Sequence, residues 1–133
     1  IQNINMYPYQ YTWFNAFSNF VDINKKFELD YWGVSGRNLA KKINNNQLLL
    51  KNNKNCIYVA PIHIFKPFVD SQFNCVKSFF SIYPKSTEKY ILVKYTRNIR
   101  RENPSNCKLV FDESYKLFLT TQKLTMGETY ICN

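Results

Sequence analysis

The chain has 133 residues, 45% hydrophobic and 17% aromatic, so it is one domain by length and too rich in core-forming side chains for a disordered tail. Eighteen Lys and Arg against nine Asp and Glu leave a formal charge of +9, which favours an anionic neighbour: nucleic acid, an anionic bilayer surface or a phosphorylated lipid carrier. No apolar run approaches the roughly eighteen residues of a membrane helix, and no basic-apolar-small pattern marks a secretory signal.

Residues 1–34 alternate aromatic and polar side chains around Pro8, which predicts irregular or short extended structure. A helix follows. Ser35 is placed to cap its N-terminus, Leu39, Ala40 and Ile43 repeat at helical spacing, and the asparagines at 44–46 weaken its end. Residues 48–50 either continue that helix or fold back as an apolar anchor. After a polar break at 52–55, the apolar run 56–60 has the length and the β-branched and aromatic content of a central strand. Pro61 ends it and suits the first turn of a helix over 62–69, which Pro67 keeps short or bent. Residues 73–79 read as a second strand, and the intervening connection makes the pair parallel.

Residues 81–89 form a loop, and Tyr90-Ile91-Leu92-Val93-Lys94-Tyr95 is the strongest strand signal in the chain. The segment 97–106 reads as exposed and holds the one basic cluster, Arg97, Arg100 and Arg101; elsewhere the positives are spread as on a solvated face. Extended runs at 107–112, 115–122 and 129–132, the last after a Met126-Gly127 turn, suggest an antiparallel meander. The predicted fold is α/β or α+β, a single mixed sheet of about five strands with one or two helices packed on it.

Few residues point to catalysis. His63 is the sole histidine, which excludes a two-histidine metal site; a surface or satisfied histidine is its plain reading. A dyad of His63 with Cys56 or Cys75 lacks a carboxylate or amide to orient it. Glu28 and Asp30 alternate so as to share one side of an extended strand, as a glycosidase pair would, but a turn or helix cap is the commoner use of Asp30. Gly33, Gly36 and Gly127 compose no phosphate loop, so no nucleotide cofactor is expected, nor any other cofactor or metal. The turn at 33–36 presents N–H groups to an anion beside Arg37, or is a plain helix entry. Lys89-Tyr90 and Lys94-Tyr95-Thr96-Arg97 interleave cations with aromatics as base-stacking sheets do, yet no RRM signature accompanies them, and nucleic-acid binding is the minor reading. Cys56, Cys75, Cys107 and Cys132 lack zinc spacing. In an oxidising compartment they can pair, Cys107 and Cys132 meeting across antiparallel strands; burial as small hydrophobes is the equal alternative, and the spacing fixes no connectivity.

Two segments carry a further signal: Tyr7-Pro8-Tyr9-Gln10-Tyr11-Thr12-Trp13-Phe14-Asn15, and Asp30-Tyr31-Trp32-Gly33-Val34-Ser35. Together they resemble the pair Y-P-Y-Q-Y-x-Y-F-N and D-Y-W-G-x-S that follows the last membrane helix of bacterial multi-spanning glycosyltransferases of the GT-C class, relatives of the protein mannosyltransferases that use polyprenyl-phosphate sugars. Trp13 stands where that family has tyrosine, and Gly36-Arg37-Asn38 is less helix-prone than its usual continuation. The resemblance implies the extracytoplasmic C-terminal domain of such an enzyme, on the periplasmic face of the inner membrane. Residues 1–133 would be one soluble domain, with 1–34 an aromatic-rich juxtamembrane segment and 35–133 the α/β core; the start at Ile1 fits a piece cut from behind a membrane region.

The family's catalytic carboxylate lies in the first extramembrane loop of the membrane part, so this domain alone transfers no sugar. Contact with the membrane-embedded part would fall to Tyr7, Pro8, Tyr9, Gln10, Tyr11, Asn15, Asp30, Tyr31, Trp32, Gly33, Ser35 and Arg37, with the basic surface near anionic lipid or polyprenyl phosphate. Physically, Tyr and Trp suit the membrane-water interface, and they equally suit a small aromatic core around Pro8. Two other classes compete: a stand-alone basic module for nucleic acid or another anionic partner, and a small secreted protein stapled by disulfides.

Overall fold

In a computed structural model, which describes residues 34–79, 88–95, 102, 105–116 and 123–133, the first regular element is helix α1, Ser35–Asn45. It forms because Gly36, Leu39, Ala40 and Ile43 recur at i, i+3, i+4 and i+7 and are all buried, leaving Arg37, Lys41 and Lys42 in solvent. The expected Ser35 cap is not made. Val34 already has helical backbone angles (φ −59°, ψ −28°) and is the N-cap, without a side-chain bond, so Ser35 lies inside the first turn and is fully buried.

The asparagine run ends α1 by changing backbone direction. Asn46 is extended, and its Oδ1 accepts from Leu49 N at 3.1 Å, which starts the one-turn helix α2, Gln47–Leu50. Leu49 is thereby buried while Leu48 stays exposed, so the leucine run serves as an anchor rather than as more of α1. Asn44 clamps a distant segment: its Nδ2 donates to Phe68 O and its Oδ1 accepts from Asp70 N, both at 2.9 Å.

Five strands form one mixed sheet: β1 (Cys56–Val59), β2 (Val76–Ser78), β3 (Tyr90–Tyr95), β4 (Cys107–Lys116) and β5 (Lys123–Cys132), in spatial order β2-β1-β3-β5-β4. β1 is parallel to β2 and β3; β5 is antiparallel to β3 and β4. With α1 packed on one face, the fold is α+β. All six residues of β3 are buried, in keeping with the run Tyr90-Ile91-Leu92-Val93, and Lys94 is buried with them. Ile91, Val93 and Tyr95 join Ile57, Val59, Leu39, Ala40, Ile43, Leu49, Phe65 and Phe73 in one core. Tyr90 and Leu92 point the other way, into a second cluster with Ala60, Phe79, Tyr130 and Cys132. Among the described residues, no helix is long and apolar enough to cross a membrane.

Four expectations need correction. Residues 62–69 form no α-helix. After a cis Ala60–Pro61 bond come two single 3-10 turns, Ile62–Ile64 and Lys66–Phe68, the second with Pro67 in its first positions. The second strand is shorter than 73–79, running only over Val76–Ser78. The runs expected at 107–112 and 115–122 are one strand as far as Lys116, because Glu113 and Ser114 are absorbed at a register shift instead of turning the chain. Met126-Gly127 is no turn either. Gly127 lies inside β5 between Tyr95 and Glu113, where a Cβ would stand 2.6 Å from Leu39 Cδ1 and 3.1 Å from Lys94 O, so glycine lets α1 press onto the sheet. Gly36 does the same from the helix side: a Cβ there would meet Tyr95 Oη at 2.6 Å and Ile64 O at 2.8 Å.

Candidate functional site

Strand register places Cys56, Tyr90, Cys132 and Cys107 side by side across four strands, and Cys75 lies one residue before Val76, the partner of Ile57. Disulfides join Cys56 to Cys75 and Cys107 to Cys132, and no cysteine is free. The pairing across antiparallel strands anticipated for Cys107 and Cys132 is therefore present. A Cys-His dyad is ruled out, since both cysteines near His63 in sequence are cross-linked and His63 is exposed on its 3-10 turn.

Against this pinned end of the sheet lies a cavity of about 580 Å³ lined by Lys54, Asn55, Cys56, Tyr58, Lys77, Glu88, Lys89 and Tyr90. Each wall follows from local structure. Lys77 of β2 is register partner to Tyr58 of β1, which puts both on one face, and its ammonium lies 6.0 Å from the Tyr58 ring centre. Tyr58 and Tyr90 meet edge to face, with centroids 5.4 Å apart and planes at 79°. Lys54 ends the polar turn before β1, and Lys89 immediately precedes β3. Tyr90 Oη reaches Cys107 Sγ at 3.9 Å; the disulfide sulfur carries no hydrogen, so the phenol is the donor. Burial, and secondarily Tyr58, push the Tyr90 phenol above its ordinary value and keep it protonated. Among the described residues, the buried Asn55 Nδ2 has no hydrogen-bond partner.

Among the described residues, the charged side chains lining the cavity are three lysines and one glutamate. Among the described residues, no ion pair engages Lys54, Lys77 or Lys89. Sequence reading singled out Lys89-Tyr90 for its mix of charge and ring; Lys54, Lys77 and Tyr58 carried no comparable signal, because only the parallel pairing of β1 with β2 and β3 gathers them.

Among the described residues, Glu113, Asp112 and Glu128 make structural contacts. Glu113 is 6% exposed and receives Lys42 Nζ at 2.6 Å and Asn38 Nδ2 at 3.1 Å, tying α1 to β4; Lys42 also donates to Asp112 O at 2.9 Å. Asp112 Oδ2 accepts from Lys123 Nζ at 2.5 Å and Ser114 Oγ at 2.6 Å. Partial burial works to raise the Asp112 carboxyl, but the bonds from Lys123 and Ser114 outweigh it and hold the group below the usual carboxylate range. On the cavity's side of the sheet, the buried Lys94 ammonium stands 5.9 Å from the Tyr130 ring, whose hydroxyl donates to Glu128 at 2.5 Å. Among the described residues, no group of His, Cys, Asp and Glu is assembled to hold a metal ion.

Of the residues assigned to the contact with a membrane part, Tyr7, Pro8, Tyr9, Gln10, Tyr11, Asn15, Asp30, Tyr31, Trp32 and Gly33 lie outside the described residues, as does Glu28. Ser35 and Arg37 lie within them. Ser35 is buried beneath α1, while Arg37 is exposed with its guanidinium 5.7 Å from the Phe68 ring centre. Gly36 packs closely against Tyr95 and Ile64, and the turn expected at 33–36 begins at Gly33, outside the described residues. Comparison of the chain with protein-family models, with curated proteins and with solved structures gives no match in any of the three.

Proposed function

We propose that this chain is the extracytoplasmic domain of a membrane-embedded glycosyltransferase of the GT-C class, seated on the membrane part and helping to place the acceptor. The observation that carries the reading is the motif pair at 7–15 and 30–35, whose uncommon residues and order resemble the juxtamembrane segment of that class. Two disulfides support it, because such bonds persist in oxidising compartments and are rare in a reducing cytosol. The charge of +9 is in keeping with a position near lipid phosphates. In this reading the sugar donor is a polyprenyl phosphate and the chemistry belongs to the membrane part.

The coding sequence ahead of Ile1 tests the proposal directly: several hydrophobic spans are expected, and a reading frame that begins there without them overturns it. In the full-length enzyme, Trp32→Ala should lower glycosyl transfer with expression unchanged; unaltered transfer would remove the motif's role.

A further inference from the structure

We propose that the cavity between β1, β2 and β3 binds a phosphate ester of a small hydroxylated body, such as a hexose phosphate. The inference rests on geometry alone, apart from the membrane-enzyme reading. Lys54, Lys77 and Lys89 line the cavity from a turn, a strand and a strand entry, so three cationic side chains border it although they are far apart in sequence. Cations bordering one cavity hold phosphate oxygens by charge-assisted hydrogen bonds. Among the described residues the lining carries a net +2, three lysines less the Glu88 carboxylate.

Size separates a bare anion from an ester. A volume of about 580 Å³ falls in the range of small-molecule sites, with ample room beyond one phosphate. The half-buried Tyr58 ring and its edge-to-face partner Tyr90 form an apolar wall against which the C–H face of a sugar can lie. Among the described residues, the buried Asn55 Nδ2 has no hydrogen-bond partner, and Asn55 lines the cavity, so a ligand oxygen could satisfy this donor. The frame is held before any ligand arrives, since the Cys56–Cys75 bond joins β1 to the residue before β2, and Tyr90 sits in register with Cys56 and Cys132.

Calorimetric titration of the full chain with glucose 1-phosphate, glucose and inorganic phosphate tests the assignment. A second arm, sedimentation with phosphatidylglycerol vesicles against phosphatidylcholine vesicles, distinguishes a lipid headgroup from a soluble ester. Expected is saturable binding of glucose 1-phosphate, tighter than either half alone and weakened by added salt. Lys54→Ala, Lys77→Ala and Lys89→Ala should each weaken it by about tenfold, as loss of a hydrogen bond to a charged group does. Lys41→Ala, on exposed α1, removes the same charge elsewhere and should change nothing. Binding confined to the anionic vesicles, with the same lysine dependence, supports the site with a lipid ester as its ligand. Absence of saturable binding in both arms, or equal weakening in Lys41→Ala, overturns it.

Discussion

Replacing Cys56 and Cys75 together by alanine opens a loop whose ends are 19 residues apart in sequence. Closing a loop of that length restricts the unfolded chain by about 3 kcal/mol at room temperature, with the Cys107–Cys132 loop, 25 residues, contributing about 3.5 kcal/mol on the same basis. A domain of 133 residues holds a total of roughly 7–20 kcal/mol, so one bond is a substantial fraction of the whole. The loops do not overlap in sequence, so their effects on the unfolded chain add, and a chain lacking both bonds should lose about 6–7 kcal/mol. In urea unfolding followed by circular dichroism without reductant, the double-alanine variant should show a lower midpoint. Its denaturant slope should be steeper, because the freed unfolded chain exposes more surface. Its melting temperature should fall by about 10 °C. Reductant should bring the parent chain below the variant, since it opens the second loop as well. An unchanged midpoint in the variant, or a parent indifferent to reduction, would refute the claim that these bonds stabilise the sheet.

Four further outcomes follow from packing and charge. Gly36→Ala gains about 1 kcal/mol of helix propensity but drives a methyl to 2.8 Å from the Ile64 carbonyl, which cannot swing aside, so a net loss of about 1–3 kcal/mol is expected in thermal melts. Stabilisation instead would mean that α1 sits farther from the sheet. Glu113→Ala removes the acceptor for Lys42 and Asn38 and should cost about 1–3 kcal/mol; Lys42 is half exposed and its charge discounted accordingly, so Glu113→Gln, which keeps an acceptor for Asn38, should lose less. Asp112 has a folded value below its unfolded one. Its contribution is present above the ordinary aspartate range and is lost as pH falls through the depressed value, so Asp112→Asn should flatten the acid limb of a stability-pH curve. Tyr90 and Tyr115 are shifted upward, mainly by burial, so their contribution is present below about pH 10 and declines above it; ultraviolet difference titration should show late-ionising phenols, with one fewer in Tyr90→Phe.

Local sequence was sufficient where a signal repeats within one element. The spacing of Leu39, Ala40 and Ile43 specifies a helix, and the continuous run of β3 specifies a strand covered on both faces. The α+β class with a mixed five-stranded sheet follows from the same patterns, because a short parallel connection and a closely spaced antiparallel end leave few other arrangements. Where an element's fate depended on a distant partner, local reading misled. Met126-Gly127 has the composition of a turn, yet Gly127 is needed in mid-strand because Leu39, 88 positions away (127 less 39), occupies the space of its side chain.

Composition and motif determined that the chain is a cationic, core-bearing domain with an aromatic opening. The tertiary structure decided which cysteines meet and which lysines border one cavity. Both depend on strand register, which sets side chains from remote segments a few ångströms apart. Register is fixed by burial of one whole face at a time, through the cores on either side of β3, and no window of neighbouring residues contains that information.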